Sequence, residues 1–368
     1  MDYPLISPTN GQRVRLVTPG LLHDGERQWP VVDGIPFLRP KERLRAEVVA
    51  AMEAEDERAA LRILLSDQDR FSPTAPPSPE NVEAVIDGAK GEMTLRRAME
   101  LLNFGPVGDY FAYRWCSPTF TGGLHLLERT PPGQVVVEVA CGIGHFLRAL
   151  EQAGRWTVGI DIVYAKLWLA KQFLGVRGPL ICGDIEQSPV LATDAPTTVF
   201  CHDAFYFFEF KEAALANMHQ LSADGTVAVG HVHTRRDAHE AGFALDVAGY
   251  QSLTEAVVQN DEDAVRAWYG KNQQPTPPDD WKAVAWVEGA APHQPIQWIT
   301  DTQALQNSPL LRDGSIVWPS PGWQREYAED AACLNGEALD SLARAQVEGG
   351  EIEDRYRQRR LVNLPARW

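Results

Sequence analysis

Two apolar runs in this chain of 368 residues end in side chains that can move protons or ligate a cation. Thr197 to Asp203 (TTVFCHD) closes on His202 and Asp203, and Gly225 to His233 (GTVAVGHVH) closes on His231 and His233. As neighbouring strands of one sheet, these runs would bring the four groups together at their tips. Alternation along a strand places His231 and His233 on the same face. Imidazole titrates near neutral pH, so one reading is a general base. A second is a metal site made of His231, His233 and Asp203. A third is a histidine capping a strand beside one that faces solvent. The expectation carried forward is catalysis by His202, Asp203, His231 and His233 without a metal. Tyr206, Phe207 and Phe208 follow directly and would form an aromatic wall.

Upstream, Val135 to Ile162 reads as strand, glycine turn, helix and second strand. Val135, Val136, Val137 and Val139 form a β-branched run suited to a strand buried on both faces. Gly142 and Gly144 make the turn, and Phe146, Leu147 and Leu150 give the next segment an apolar helical face. Glycines let backbone approach a ligand, and the first helical turn presents unpaired N–H groups. Asp161, at the tip of the second strand, can accept both hydroxyls of a ribose. This is half of a nucleotide-binding βαβ unit. Leu147, however, stands where the third glycine of a dinucleotide fingerprint belongs. Glu138, inside the first strand, suits a cationic ligand better than a pyrophosphate.

At these residues the chain resembles the class I S-adenosylmethionine (SAM) methyltransferases. Their acid-x-small-x-Gly-x-Gly motif is matched by Glu138, Ala140, Gly142 and Gly144, their second acid by Asp161, and a later Gly-Asp-(Ile/Ala) by Gly183, Asp184 and Ile185. The likeness covers roughly Tyr110 to His233. It implies an α/β fold, a Rossmann-like seven-stranded sheet with helices on both faces. It also implies that SAM is the cofactor. Glu138 would lie near the sulfonium and the methionine amino end. Ala140, Cys141, Gly142 and Gly144 would face the cofactor. Asp161 would hold the ribose, with Ile162 beside it; Asp184 would accept from the adenine amino group, with Ile185 against the ring. Asp203 would close the cofactor set. The aromatic stretch at residues 104–133 is either a helix packed on the sheet or a lid. As a lid it would put Tyr110, Tyr113 or Arg114 near the methionine moiety, with Arg114 pairing its carboxylate.

WPVVDGIPFLRP (Trp29 to Pro40) resembles a small zinc-ribbon-like domain that precedes or activates some methyltransferases. In that family C-P-x-C comes first; here Thr18, Pro19, Gly20 and Leu21 stand there, and without thiolates a tetrahedral zinc site cannot form. The expectation is a metal-free relic in which Asp33-Gly34 is a structural turn. The chain then divides into this β-rich segment at 1–40, a helical region at 41–105 with a Pro-rich loop at 72–79, and a SAM-binding core at 106–233. An insertion at 234–295 would cap the substrate, and 296–368 would complete the sheet and add helices.

Formal charge is −16, from 34 basic and 50 acidic residues. That argues against a broad phosphate-binding surface, and so against nucleic acid as the partner. Cys116, Cys141, Cys182, Cys201 and Cys333 show no C-x-x-C spacing and read as reduced thiols, which points to the cytoplasm. The N-terminus has no apolar signal region, and no apolar run is long enough to cross a membrane. The leading expectation is a cytoplasmic enzyme methylating a small-molecule substrate, such as a specialised metabolite or sugar derivative, with homo-oligomerisation left open. The alternatives are a non-catalytic SAM-binding partner protein and an RNA methyltransferase.

Overall fold

A computed structural model describes residues 4–236, 242–269, 276–313, 315–328 and 349–368. Cys333, five residues of the stretch read as an insertion (237–241) and residues 329–348 lie outside the described residues.

The N-terminal segment folds as an antiparallel sheet of β1 (Arg15–Thr18), β2 (Leu21–His23), β3 (Gln28–Val32) and β4 (Ile35–Pro36), in that order. Thr18 to Leu21 is the β1–β2 connection. Asp33 and Gly34 form the two-residue turn between β3 and β4, with φ of 45° and 71°. Positive φ at both positions gives a turn whose twist matches the flanking strands. The Asp33 carboxylate accepts from Lys171 and Gln172, which fastens the turn to the core. Phe37 then bridges Cys182 in parallel, and Leu38 N–H donates to the Cys182 carbonyl at 2.7 Å. The segment therefore covers an edge that would otherwise be open to pairing with another chain.

Six helices follow: α1 (Glu42–Glu53), α2 (Glu57–Leu65), α3 (Pro79–Gly88), α4 (Leu95–Leu101), α5 (Pro106–Tyr113) and α6 (Pro118–Leu127). Asp56, Ser78, Thr94 and Ser117 cap α2, α3, α4 and α6 through side-chain oxygens. Such caps satisfy backbone donors that the first helical turn leaves open.

The central sheet contains β5 (Val136–Val139), β6 (Thr157–Asp161), β7 (Leu180–Cys182), β8 (Thr198–His202), β9 (Thr226–His233), β10 (Gln259–Asn260) and β11 (Ala283–Glu288). Its order is β10-β11-β9-β8-β5-β6-β7. Strands β5 to β9 pair in parallel, while β11 runs antiparallel to both β9 and β10. Helices α7 (His145–Gln152), α8 (Tyr164–Leu169), α9 (Lys211–Ser222), α10 (Val247–Gln251) and α11 (Asp261–Trp268) are the α-helices between β5 and β11 among the described residues. Strands β5, β6 and β8 are buried along their whole length, and separate apolar clusters form on the two sides of the sheet. This is the Rossmann-like seven-stranded arrangement expected from the motifs.

One boundary differs from expectation. The closing strands lie at 259–260 and 283–288, inside the stretch read as an insertion, and residues 296–368 add no described strand to this sheet. The reason is that Ala283–Val287 is buried throughout and pairs along β9. Ile296 to Ile299 runs past the end of α6, where Ile296 N–H and the Trp298 indole donate to Glu128.

Gly159, in β6, lies under the glycine turn. A Cβ there would sit 2.5 Å from Leu147 Cδ1 and 2.8 Å from Leu180 Cδ2. Overpacking of a close-packed interior costs about 1–3 kcal/mol. Gly159→Ala should lower the urea midpoint accordingly; an unchanged midpoint would show that this floor is loose.

Candidate functional site

Beyond the C-terminal ends of β5 to β9 lies a cavity of 780 Å³. That is large enough to bury a ligand of cofactor size. Its floor is the turn after β5. Ala140 and Gly142 both adopt positive φ, 54° and 56°. A Cβ on Gly142 would come within 3.1 Å of the Phe111 ring, so the bend is a cradle that only glycine leaves open. Asp161, at the end of β6, accepts from Gly142 N–H and Val163 N–H, both at 2.8 Å. It thereby ties the turn to its own strand, and its remaining lone pairs border the cavity. Asp184 and Ile185 line the far wall beyond β7.

Glu138 is 3% exposed and its carboxylate accepts only a 3.1 Å bond from Leu147 N–H among the described residues. Burial pushes its carboxyl up to about 8, against the opposing pull of Arg114 and that N–H. A cation placed beside it would favour the carboxylate. These features fit SAM: an acid that gains from a sulfonium or ammonium, a glycine cradle, and a second carboxylate, Asp161, bordering the cavity. The sign for binding follows. Below about pH 8 the cavity must lose a proton to receive the cation, so affinity for SAM should rise roughly tenfold per pH unit up to about 8 and then level off. Calorimetry in buffers of different ionisation heat measures that proton release; Glu138→Gln should flatten the profile. A flat profile in the native protein would remove Glu138 from the cofactor site.

On the other side of the cavity, Arg114 is buried, its side chain 4% exposed, against Asp203 at 5%. Its Nη1 bonds Asp203 Oδ2 at 2.8 Å and its Nη2 donates to His202 Nδ1 at 2.9 Å. The Tyr110 hydroxyl donates to the same Asp203 oxygen at 2.5 Å and touches Arg114. Tyr206 donates to Asp203 Oδ1 at 3.3 Å, and His233 Nε2 lies 3.8 Å from that oxygen. Burial would raise Asp203, but Arg114 and the surrounding histidines hold it well below the usual carboxylate range. Burial and Arg114 push His202 down to about 3, so its ring is neutral. His231 goes the other way: burial disfavours its charge, yet Asp203 and Asp261 raise it to about 9.

Of the expected catalytic residues, His202, Asp203 and His233 line the cavity, whereas His231 stands behind them. Simple alternation fails at His231 because β9 bulges there. Trp286 pairs Val229 while Val284 pairs Val232, and His231 has φ of 48°. Of the expected cofactor residues, Glu138, Ala140, Cys141, Gly142, Asp161, Ile162, Asp184, Ile185, Asp203 and Arg114 border the cavity. Gly144 does not. It opens α7 in a left-handed conformation, and a Cβ on it would press Val176 and Ala170. Its work is close packing. Tyr113 does not either: its ring packs edge-on against Trp323 and Trp368, because the chain tightens into a 3₁₀ turn directly after it.

Several site residues left no mark in the sequence. His145, the first residue of α7, bonds the Phe111 carbonyl at 2.8 Å and so holds α5 over the turn. Asp261 grips His231, yet as the first residue of α11 it reads like any acidic helix start. Arg39 and Lys41 border the mouth, both paired to Asp67. Phe71, cationically stacked by Arg70, meets Phe207 at a centroid distance of 4.9 Å on the same rim.

The family described as a methyltransferase domain matches residues 137–229, from β5 into β9. No curated protein matches the sequence. Among solved structures, a chain of the complex containing the Haloferax volcanii Trm112 methyltransferase activator is 19% identical. It covers 51% of this chain and 95% of its own, with a TM-score of 0.38. A TehB-like SAM-dependent methyltransferase from Corynebacterium glutamicum is also 19% identical, covering 51% of this chain and 99% of its own at 0.37. Magnesium protoporphyrin IX methyltransferase from Synechocystis, with bound SAM, is 14% identical over 50% of this chain and 82% of its own, at 0.33. The match across the strands that build the cradle identifies residues 137–229 as a methyltransferase domain, the kind of enzyme domain that uses SAM.

Proposed function

We propose that the protein methylates a small-molecule acceptor that enters the same cavity as the cofactor. The observation that carries this is the sharing of one cavity by the Glu138–Gly142–Asp161 cradle and the Arg114–His202–Asp203–His233 wall. When bound, SAM supplies a methyl group on a sulfonium, and the C–S electron pair remains on sulfur. The chain's own part is placement. Asp161 holds the ribose and fixes the turn, Asp184 and Ile185 select adenine, and Glu138 balances the cationic end. Arg114 reaches the methionine carboxylate from a site already tied to Asp203. The wall of His202, Asp203 and His233 then meets the acceptor. Phe71 and Phe207 at the rim favour an acceptor with apolar surface. The net charge of −16 speaks against nucleic acid.

Holding reactants in line is the main source of rate in such a transfer. The test begins with binding: SAM at about 100 times its dissociation constant should stabilise the fold by about 2.7 kcal/mol. Methyl-labelled SAM is then incubated with the protein and with separated small-molecule, protein and RNA fractions of a cell extract. Label entering the small-molecule fraction supports the proposal. Label confined to protein or RNA overturns the acceptor class, and no stabilisation by SAM overturns the cofactor site.

A further inference from the structure

His231 is held in a way that a buried spacer would not need. The β9 bulge turns it into a left-handed backbone conformation, which is costly for a residue other than glycine and persists where surroundings enforce it. Asp261 supplies that enforcement. One carboxylate oxygen accepts the His231 N–H at 2.8 Å and the other accepts its Nδ1–H at 2.7 Å. Those two bonds fix the ring's orientation, and a cation taking the far nitrogen would displace the proton that Asp203 and Asp261 favour there. The remaining nitrogen, Nε2, is buried in a residue 8% exposed and meets no hydrogen-bond partner among the described residues.

What stands near that nitrogen is a set of donors. His231, His233 and Asp203 each offer one ligand atom, and all three atoms lie within 4.8 Å of one another. Cations bound by histidine and carboxylate sit about 2.1 Å from each donor, so donors around one tetrahedral ion lie about 3.4 Å apart, and closing the set asks Asp203 and His233 to move in toward the fixed His231 ring. In Asp203, Oδ2 is committed to Arg114 and Tyr110, while Oδ1 accepts the Tyr206 hydroxyl at 3.3 Å and lies 3.8 Å from His233 Nε2. The charged groups around the set are Arg114 on one side, with Asp203, Asp261 and Glu326 on the other. Carboxylates outnumber the guanidinium, so a divalent cation would be welcome.

We infer that Asp203, His231 and His233 form a divalent-cation site on the acceptor side of the cavity, with Asp261 as the positioning residue behind His231. Two imidazoles and one carboxylate on one face suit Zn²⁺, Fe²⁺, Co²⁺ or Mn²⁺. A carboxylate bonded to the far nitrogen of a ligating histidine is the usual outer support of such a site. The sequence expectation of no metal omitted both Asp261 and the bulge. Asp203 and His233 line the cavity, so the open coordination positions face it. The acceptor class follows, resting on the methyl-transfer reading of that cavity: a molecule presenting a hydroxyl oxygen to the cation. Coordination lowers the hydroxyl pKa, and its proton leaves to water. The oxygen lone pair then bonds the methyl carbon as the C–S bond breaks, with its electron pair left on sulfur.

A second cluster, His125, Glu128 and His293, also brings three donors together. There, however, the buried Glu128 carboxylate is already satisfied by His293, Ile296 N–H and the Trp298 indole. It serves as the control.

The experiment titrates CoCl₂ into the full-length protein after dialysis against EDTA, read by visible d–d absorption, with SAM binding measured in parallel by calorimetry. One Co²⁺ per chain is expected. His233→Gln and Asp203→Asn, which leave the bulge untouched, should abolish the band, as should His231→Ala. Asp261→Asn should weaken Co²⁺ by about 10- to 100-fold, and His293→Ala should change nothing. No band at millimolar Co²⁺, or a band lost only in His293→Ala, overturns the inference. SAM binding without Co²⁺ binding overturns the cation site and leaves the methyl-transfer reading standing; the reverse result overturns that reading alone.

Discussion

Asp161→Ala should weaken SAM binding by a factor of about 10² to 10⁴. Hydrogen bonds to a charged group contribute about 1.5–3 kcal/mol each, and the two ribose hydroxyls assigned to this carboxylate make about 3–6 kcal/mol. At 1.4 kcal/mol per decade, that is the stated loss. The same carboxylate holds Gly142 N–H and Val163 N–H, so its removal also frees the turn that forms the cradle. Asp161→Asn separates the contributions. Its amide keeps one acceptor oxygen for the turn while losing the charge, so its affinity should fall between the native and alanine values. Calorimetry supplies the affinities, and far-UV circular dichroism confirms that the variants fold. A loss smaller than threefold in a folded Asp161→Ala protein would detach this residue from the ribose.

The second large effect is on stability. Removing one partner of a buried ion pair leaves an uncompensated charge and costs about 3–5 kcal/mol. Arg114 and Asp203 form such a pair, with side chains 4% and 5% exposed. Arg114→Met should therefore lower the unfolding free energy by about that amount in urea. Adding Asp203→Asn should restore a large part, because the lone carboxylate is then gone. The double variant must be more stable than Arg114→Met for this account to hold; strictly additive losses would mean that the pair is not coupled. The pair also ties the turn after α5 to the end of β8. A cofactor carboxylate that draws Arg114 toward itself would loosen Asp203 at the moment the acceptor site is needed.

Much of the cofactor half could be read along the chain. Glu138, Gly142 and Asp161 belong to one βαβ unit, in which neighbours in sequence are neighbours in space. Strand periodicity and turn chemistry therefore place them without knowledge of anything distant. The acceptor half was legible only as proximity: parallel strands β8 and β9 were expected to bring His202, Asp203, His231 and His233 to one end of the sheet, and they do. Which of them faces the cavity was not legible. That depends on an extra residue in β9 opposite β11, a register decided by a strand some fifty residues further on. Tyr113 shows the same limit on a smaller scale. One aromatic among several looks like its neighbours until the 3₁₀ turn after α5 points it at Trp323 and Trp368.

The amino-acid sequence thus determined the fold class and the adjacency of β8 and β9, through short-range pattern, and the methyl donor through the resemblance carried by its motifs. Only the tertiary structure decided that the N-terminal sheet seals the β7 edge, that β10 and β11 complete the sheet, and that Asp261 grips His231. Those outcomes are set by packing between segments far apart in the chain, where a carboxylate or a strand edge has many potential partners and burial selects one.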